Sequence, residues 1–113
     1  MAERLETLRE ILLSIERRSL REWLYLPRGE AWDLDSLGAT LESPEVPPHL
    51  EDDPEAGIPD FAKAHDLVMA LDVGTVQDVK ANLGSQVSRF TTDQLLAAFL
   101  FYHGNDAFAL PDE

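Results

Sequence analysis

Cysteine is absent from the 113 residues, which excludes a disulfide framework, a thiolate metal site and a thiol nucleophile. Long apolar runs are absent too. The longest near-apolar stretch, Leu95 to Tyr102, is well short of the roughly 20 residues that a membrane-spanning helix needs. The chain opens Met1-Ala2-Glu3-Arg4 with charges mixed through its first turns, so no secretory signal is expected and the reading is of a soluble cytoplasmic protein. The glycines are scattered, without a G-x-G-x-x-G or a lysine-bearing phosphate loop, and nucleotide binding has no support. His49, His65 and His103 have no H-x-x-x-H or H-E-x-x-H companion, so neither a metal nor any other cofactor is expected.

Positive charge is the remaining scarcity. Nine Lys and Arg stand against 22 Asp and Glu, for a net charge of −13. Affinity for phosphate comes from clustered cations that release counterions, so nucleic acids and anionic membranes are poor partners for such a surface. The natural partner is a basic protein, and solubility alone is the competing reason for such a surface.

What the chain does have is an uneven distribution of acid. Residues 1–30 hold six acids and six arginines. Residues 31–66 hold ten acids against Lys63 alone, and residues 67–113 hold six against Lys80 and Arg89. The middle third therefore carries −9. Apolar residues make up 44% of the chain, enough to fill one core, so the acid belongs to the surface of a single folded domain spanning 1–113.

Periodicity places the elements. Leu5, Leu8, Ile11, Leu12 and Ile15 repeat at helical spacing from Glu3 to about Arg18, which predicts a first helix. Glu22 to Leu26, with Trp23 and Tyr25, reads as a strand ended by Pro27-Arg28-Gly29, and a second strand is expected within 32–42. From about 42 to 60 the prolines Pro44, Pro47, Pro48, Pro54 and Pro59 sit among acids, a composition for an extended, solvated loop. A helical turn at Phe61–His65 precedes the apolar run Leu67–Leu71, which suggests a strand buried on both faces at the centre of the sheet. Val76, Val79 and Leu83 predict a second helix stopped at Gly84. Thr91 and Gln94 have capping-box spacing at the head of a third, which runs to about His103, is apolar almost all round, and should be buried on several sides. Phe108 and Leu110 are expected to fold back on the core. The fold class is α+β: a small antiparallel or mixed sheet of about three strands, with three helices mainly on one face.

No nucleophile, base and orienting group can be named together, so the reading is of a protein that is not an enzyme. Asp33-x-Asp35-x-x-Gly38 has the opening of a calcium loop, but Leu37 and Pro44 occupy positions where ligands belong. The residues assigned to partner binding are Trp32, as an exposed aromatic anchor, with Asp33, Asp35, Glu42, Glu45, Glu51, Asp52, Asp53, Glu55 and Asp60. Trp23 and Tyr25 are assigned to core packing first.

Several segments taken together carry a resemblance. They are Trp23-Leu24-Tyr25-Leu26-Pro27, Glu30-Ala31-Trp32, Asp60-Phe61-Ala62-Lys63, Val76-Gln77-Asp78-Val79, Ala98-Phe99-Leu100-Phe101-Tyr102 and Asn105-Asp106-Ala107-Phe108. Over about residues 20 to 108 the chain resembles a family of small acidic bacterial proteins of unassigned biochemical function, some of which look like immunity proteins of contact-dependent growth inhibition systems. That resemblance implies an antitoxin that binds and neutralises the toxic C-terminal domain of an exported effector, often a nuclease. It implies no catalytic residues. The alternative expectation is a cytosolic adaptor or regulatory subunit that binds through the apolar face of its first or last helix.

Overall fold

Strand β1 (Glu6–Thr7) leads directly into helix α1 (Leu8–Leu13), because Thr7 closes a capping box: its hydroxyl accepts from Glu10 N–H at 3.2 Å, and the Glu10 carboxylate takes the Thr7 N–H in return. In the computed structural model, which describes residues 4–42, 48–50 and 57–105, a 3₁₀ turn (Ile15–Arg17), β2 (Glu22–Pro27) and β3 (Leu37–Glu42) follow. After a 3₁₀ turn at Pro48–Leu50 come α2 (Asp60–Ala64), β4 (Leu67–Asp72), α3 (Val73–Gln86) and α4 (Thr92–Asn105). Most of the expected 42–60 loop, and with it Glu45, Glu51, Asp52, Asp53 and Glu55, lies outside the described residues, as do Phe108 and Leu110.

The four strands form an antiparallel sheet in the order β1-β3-β2-β4, so the α+β class expected from the sequence is the one found. Alternation along β2 builds two apolar layers. Leu24 and Leu26 face α1, α3 and α4 in a core with Leu8, Ile11, Leu12, Ile15, Val73, Val76, Leu95 and Phe99, all fully buried. Tyr25 points the other way and joins Ala39, Leu41 and Leu67 beneath Ala62 of α2, with Trp23, Ile58 and Phe61 at the margin.

The first helix is much shorter than its apolar stripe suggests. The Ser14 hydroxyl donates to the Glu10 carbonyl at 2.7 Å and ends α1. Other elements then take over the carbonyls that a longer helix would have used. Lys80 of α3 donates to Leu12 O and Leu13 O at 3.1 and 3.0 Å, and Gln77 Nε2 donates to Ile15 O at 2.9 Å. Leu5 falls before the cap and packs in the second apolar layer.

Two other helix ends were differently legible. Gly84 does not stop α3, which begins at an Asp72 cap accepting from Thr75 N–H at 3.1 Å and runs on to Gln86. The Thr91–Gln94 capping box is present in both directions, at 2.7 and 3.1 Å. α4 buries Leu95, Ala98 and Phe99 but leaves Leu100 and Phe101 36% and 42% exposed, so its burial is one-sided rather than all-round.

Arg18 binds the start of the chain to the sheet. Its guanidinium grips Glu6 with two hydrogen bonds of 2.8 and 3.0 Å and also donates to Thr40 Oγ1 at 3.0 Å and Ser14 Oγ at 2.9 Å. The Arg18 hydrogen bond is the chief reason the Glu6 carboxyl is held below its ordinary range; burial acts upward but is outweighed, and the charges of Arg18 and Arg4 add to the lowering. For Glu16, burial pushes upward, and the hydrogen bond from Lys80, a backbone hydrogen bond and the charges of Lys80 and Arg17 together outweigh it. A carboxyl lowered in the folded state contributes stability that is complete above its unfolded pKa, about 4.3, and is lost as pH falls through the lower folded value. Glu6→Gln is therefore expected to flatten the acid limb of stability against pH relative to wild type, as read by urea midpoints from neutral pH down to about pH 3. Parallel acid limbs in the two proteins would contradict the assignment.

Candidate functional site

Two depressions of the surface lie toward the end of the sheet where β2 gives way to a turn. Pro27 pairs with Leu67 there. Arg28 then pins the loop after β2 to the turn before β4: its N–H donates to Asp66 O at 3.1 Å and its Nε to Asp66 Oδ1 at 2.9 Å. Asp66 adopts a positive φ of 54°, a conformation that a short acidic side chain tolerates.

The first feature is an acidic turn. Asp33 Oδ1 accepts from Asp35 N–H at 2.8 Å, and Asp33 N–H donates to Ser36 Oγ at 2.9 Å. The turn is tied to α1 by Leu8 N–H to Ser36 O (2.8 Å) and Arg9 N–H to Leu34 O (3.0 Å). Around it Glu30, Asp33, Asp35, Ser36 and Leu37 border a shallow depression of about 340 Å³. Glu30, Asp33 and Asp35 are all exposed. Asp35 meets Arg9 at 3.7 Å, an exposed pair that contributes little to stability.

The second feature is an apolar groove of about 510 Å³ on the α2 side of the sheet, floored by Trp23, Tyr25, Leu67 and Met69, walled by Ile58, with Arg28 at its mouth. Met69 stands 52% exposed. β4 has β2 on one side and no strand on the other among the described residues. The apolar run is thus an edge, not the centre of the sheet. Its hydrophobicity answers to the helical layer on one face, where Ala70 and Leu71 pack, and on the other to the groove.

Among the described residues, the sequence-assigned binding residues Trp32, Asp33, Asp35, Glu42 and Asp60 do not form one patch. Asp33 and Asp35 precede β3 and Glu42 ends it, so the strand of Leu37–Glu42 separates them by about 17 Å at the usual rise per residue. Asp60 opens α2, on the opposite face from α1, α3 and α4. Trp32 is not an exposed anchor. It is half-buried against the main core, its indole N–H donates to Pro27 O at 2.8 Å, and its ring meets His103 edge-on at 4.8 Å and Phe99 at 6.4 Å. Its work is to clamp the acidic loop onto α4. The groove residues Met69, Ile58 and Arg28 were missed, and the signal available was the absence of any charge within Leu67–Leu71.

His65 lies against Phe61 at 4.5 Å and His103 against Trp32. Among the described residues no group of three His, Asp or Glu is placed to hold a metal ion together, and no helix is long and apolar enough to cross a membrane.

A family-wide sequence profile matches residues 5–110, nearly the whole chain. The chain belongs to the DUF7716 family, a domain of unknown function. No curated protein and no solved structure matches it. In this DUF7716 domain the match spans every described helix and strand, so the acidic turn and the groove both lie within the matched residues.

Proposed function

We propose that this DUF7716 domain is a non-catalytic binding protein that docks on a cationic surface of another protein and occludes it. The observation that carries the reading is the disposition of charge. Asp33 and Asp35 stand exposed on a turn held by its own hydrogen bonds, at the start of the 31–66 stretch that carries −9, and the exposed Glu30 lies just before that stretch. Arg18 and Lys80, by contrast, are only about one-seventh exposed at their side chains (15% and 14%) and direct their donors into the fold. A rigid acidic surface accelerates encounter with a basic one through long-range steering, an effect that falls steeply with ionic strength.

The resemblance to immunity proteins supplies the class of partner: the toxic C-terminal domain of a contact-dependent inhibition effector, a nuclease that presents cations to its nucleic-acid substrate. Co-expression with the C-terminal domain of an effector encoded beside this chain is expected to rescue growth. The triple variant Glu30→Gln, Asp33→Asn, Asp35→Asn keeps the turn, because an amide oxygen accepts as a carboxylate oxygen does. Its association rate with that domain should fall roughly tenfold at low salt and converge with wild type at high salt. Equal rates at low salt would sink the electrostatic mechanism.

A second reading, an adaptor docking through α4, is favoured by the exposure of Leu100 and Phe101. α1 does not offer such a face, since Leu8, Ile11, Leu12 and Ile15 are fully buried. In that case the triple variant binds its partner as fast as wild type at every ionic strength.

A further inference from the structure

The two edges of the sheet are built differently. At one, β1 is two residues long, Glu6 is locked to Arg18, Thr7 is engaged in the capping box, and the chain turns at once into a helix. Short length and charge are how proteins keep an edge from pairing with another chain. At the other, β4 is six residues long, and Leu67 to Leu71 contain no charge and no proline. Its pairing with β2 shifts between Leu24 and Tyr25, where β4 carries one extra residue, Ala70, as a bulge. Met69 projects from the middle of this strand beside the groove, a flexible and polarizable side chain that adapts to varied neighbours.

We propose that the outer edge of β4 receives an extended, basic segment of the partner as a fifth strand, its apolar side chains entering the groove at Met69. The inference deepens the binding reading above and rests on it. A strand added about 4.8 Å beyond β4 satisfies the outward main-chain groups of Leu67–Leu71. Every second side chain of that strand then lies over the Trp23, Tyr25 and Met69 side of the sheet, which is apolar, and selects aliphatic or aromatic residues there. Charge selects the rest. Asp66 is already paired with Arg28 and Asp72 caps α3, so the attraction for a strand carrying lysine or arginine comes from the chain's net charge of −13. A second copy of this chain brings the same −13 and is repelled.

The probes are synthetic peptides of about eight residues, the length of an ordinary strand: one alternating valine and lysine, one alternating valine and glutamate, and two forms of the first that are N-methylated at every second residue, in either phase. Affinity is read by calorimetry, and amide hydrogen exchange is followed over residues 67–72 of the intact chain. The lysine peptide should bind and slow exchange in that segment, while the glutamate peptide binds at least roughly tenfold more weakly. One phase of methylation should cost roughly tenfold and the other little, because only one phase points its N–H groups at β4. Met69→Lys, a change at an exposed side chain, should weaken the lysine peptide as well. Equal binding of both methylated forms, unchanged exchange over 67–72 on binding, or self-association of the free chain through β4 each overturns the proposal. If the lysine peptide binds, weakens in the Glu30, Asp33, Asp35 triple variant, yet leaves β4 exchange unaltered, strand addition is wrong and acidic docking stands. If the valine–glutamate peptide binds as well as the lysine one, both fail.

Discussion

Gly38→Ala is expected to destabilise the fold by about 3 kcal/mol, the upper part of the range for forcing extra volume into a packed site. Gly38 lies within β3, where it pairs with Glu6 of β1 while β2 runs along its other side. A methyl group there meets the carbonyl oxygen of Tyr25 and comes within 2.7 Å of Leu26 Cδ2. The Tyr25 carbonyl belongs to the backbone of a central strand, so relief requires β2 and β3 to move apart and weakens pairing along their whole register. Gly84→Ala is the matched control. It lies inside α3, its added carbon meets Phe90 at an ordinary 3.6 Å, and alanine in a helix interior is favoured over glycine by about 0.5–1 kcal/mol. Urea unfolding should therefore move the two midpoints in opposite directions. A Gly38→Ala midpoint unchanged from wild type would mean that β2 and β3 do not approach as described.

Lys80→Met is expected to cost about 2 kcal/mol, in the range for charge-assisted hydrogen bonds. The Lys80 ammonium contacts Leu12 O, Leu13 O and Glu16 at 3.1, 3.0 and 2.7 Å. Glu16 is 58% exposed at its side chain, so that ion pair contributes little. The loss comes from the α1 carbonyls, which no longer have a donor where the helix stops. Two consequences separate this account from a general loss of charge. Added salt should not reproduce the destabilisation in the wild type, and amide exchange in the variant should rise most over residues 8–18, the segment that Lys80 and Gln77 hold. Uniform loosening of all elements would contradict it.

Both predictions rest on contacts between elements far apart in the chain, and that is where sequence reading ran short. The Thr91–Gln94 box was legible because a cap is a local arrangement of two residues three apart. Trp23 to Leu26 was legible as a strand for the same reason: composition and a terminating turn sit side by side. The Thr7–Glu10 box is equally local, but the apolar stripe running through it from Leu5 to Ile15 pointed to one long helix. Periodicity could not register that Ser14 ends α1 or that α3 supplies the donors that make that ending tolerable. For Leu67–Leu71, an apolar run has the same composition whether a second strand or a groove lies beside it. Trp32 reads as exposed because Asp33 and Asp35 flank it at the edge of the acidic region, yet its ring is held by Pro27, Phe99 and His103.

By itself the sequence determined the α+β class, the strand at 22–26, the cap of α4 and the concentration of acid in the middle third, because each depends on neighbouring residues or on summed charge. Tertiary structure alone decided that Asp33 and Glu42 stand at opposite ends of β3, that Trp32 clamps a loop instead of facing solvent, and that β4 is an edge beside an apolar groove. Those outcomes depend on which strand lies next to which. That order is set by packing of both sheet faces at once, a sum over distant residues that no local window contains.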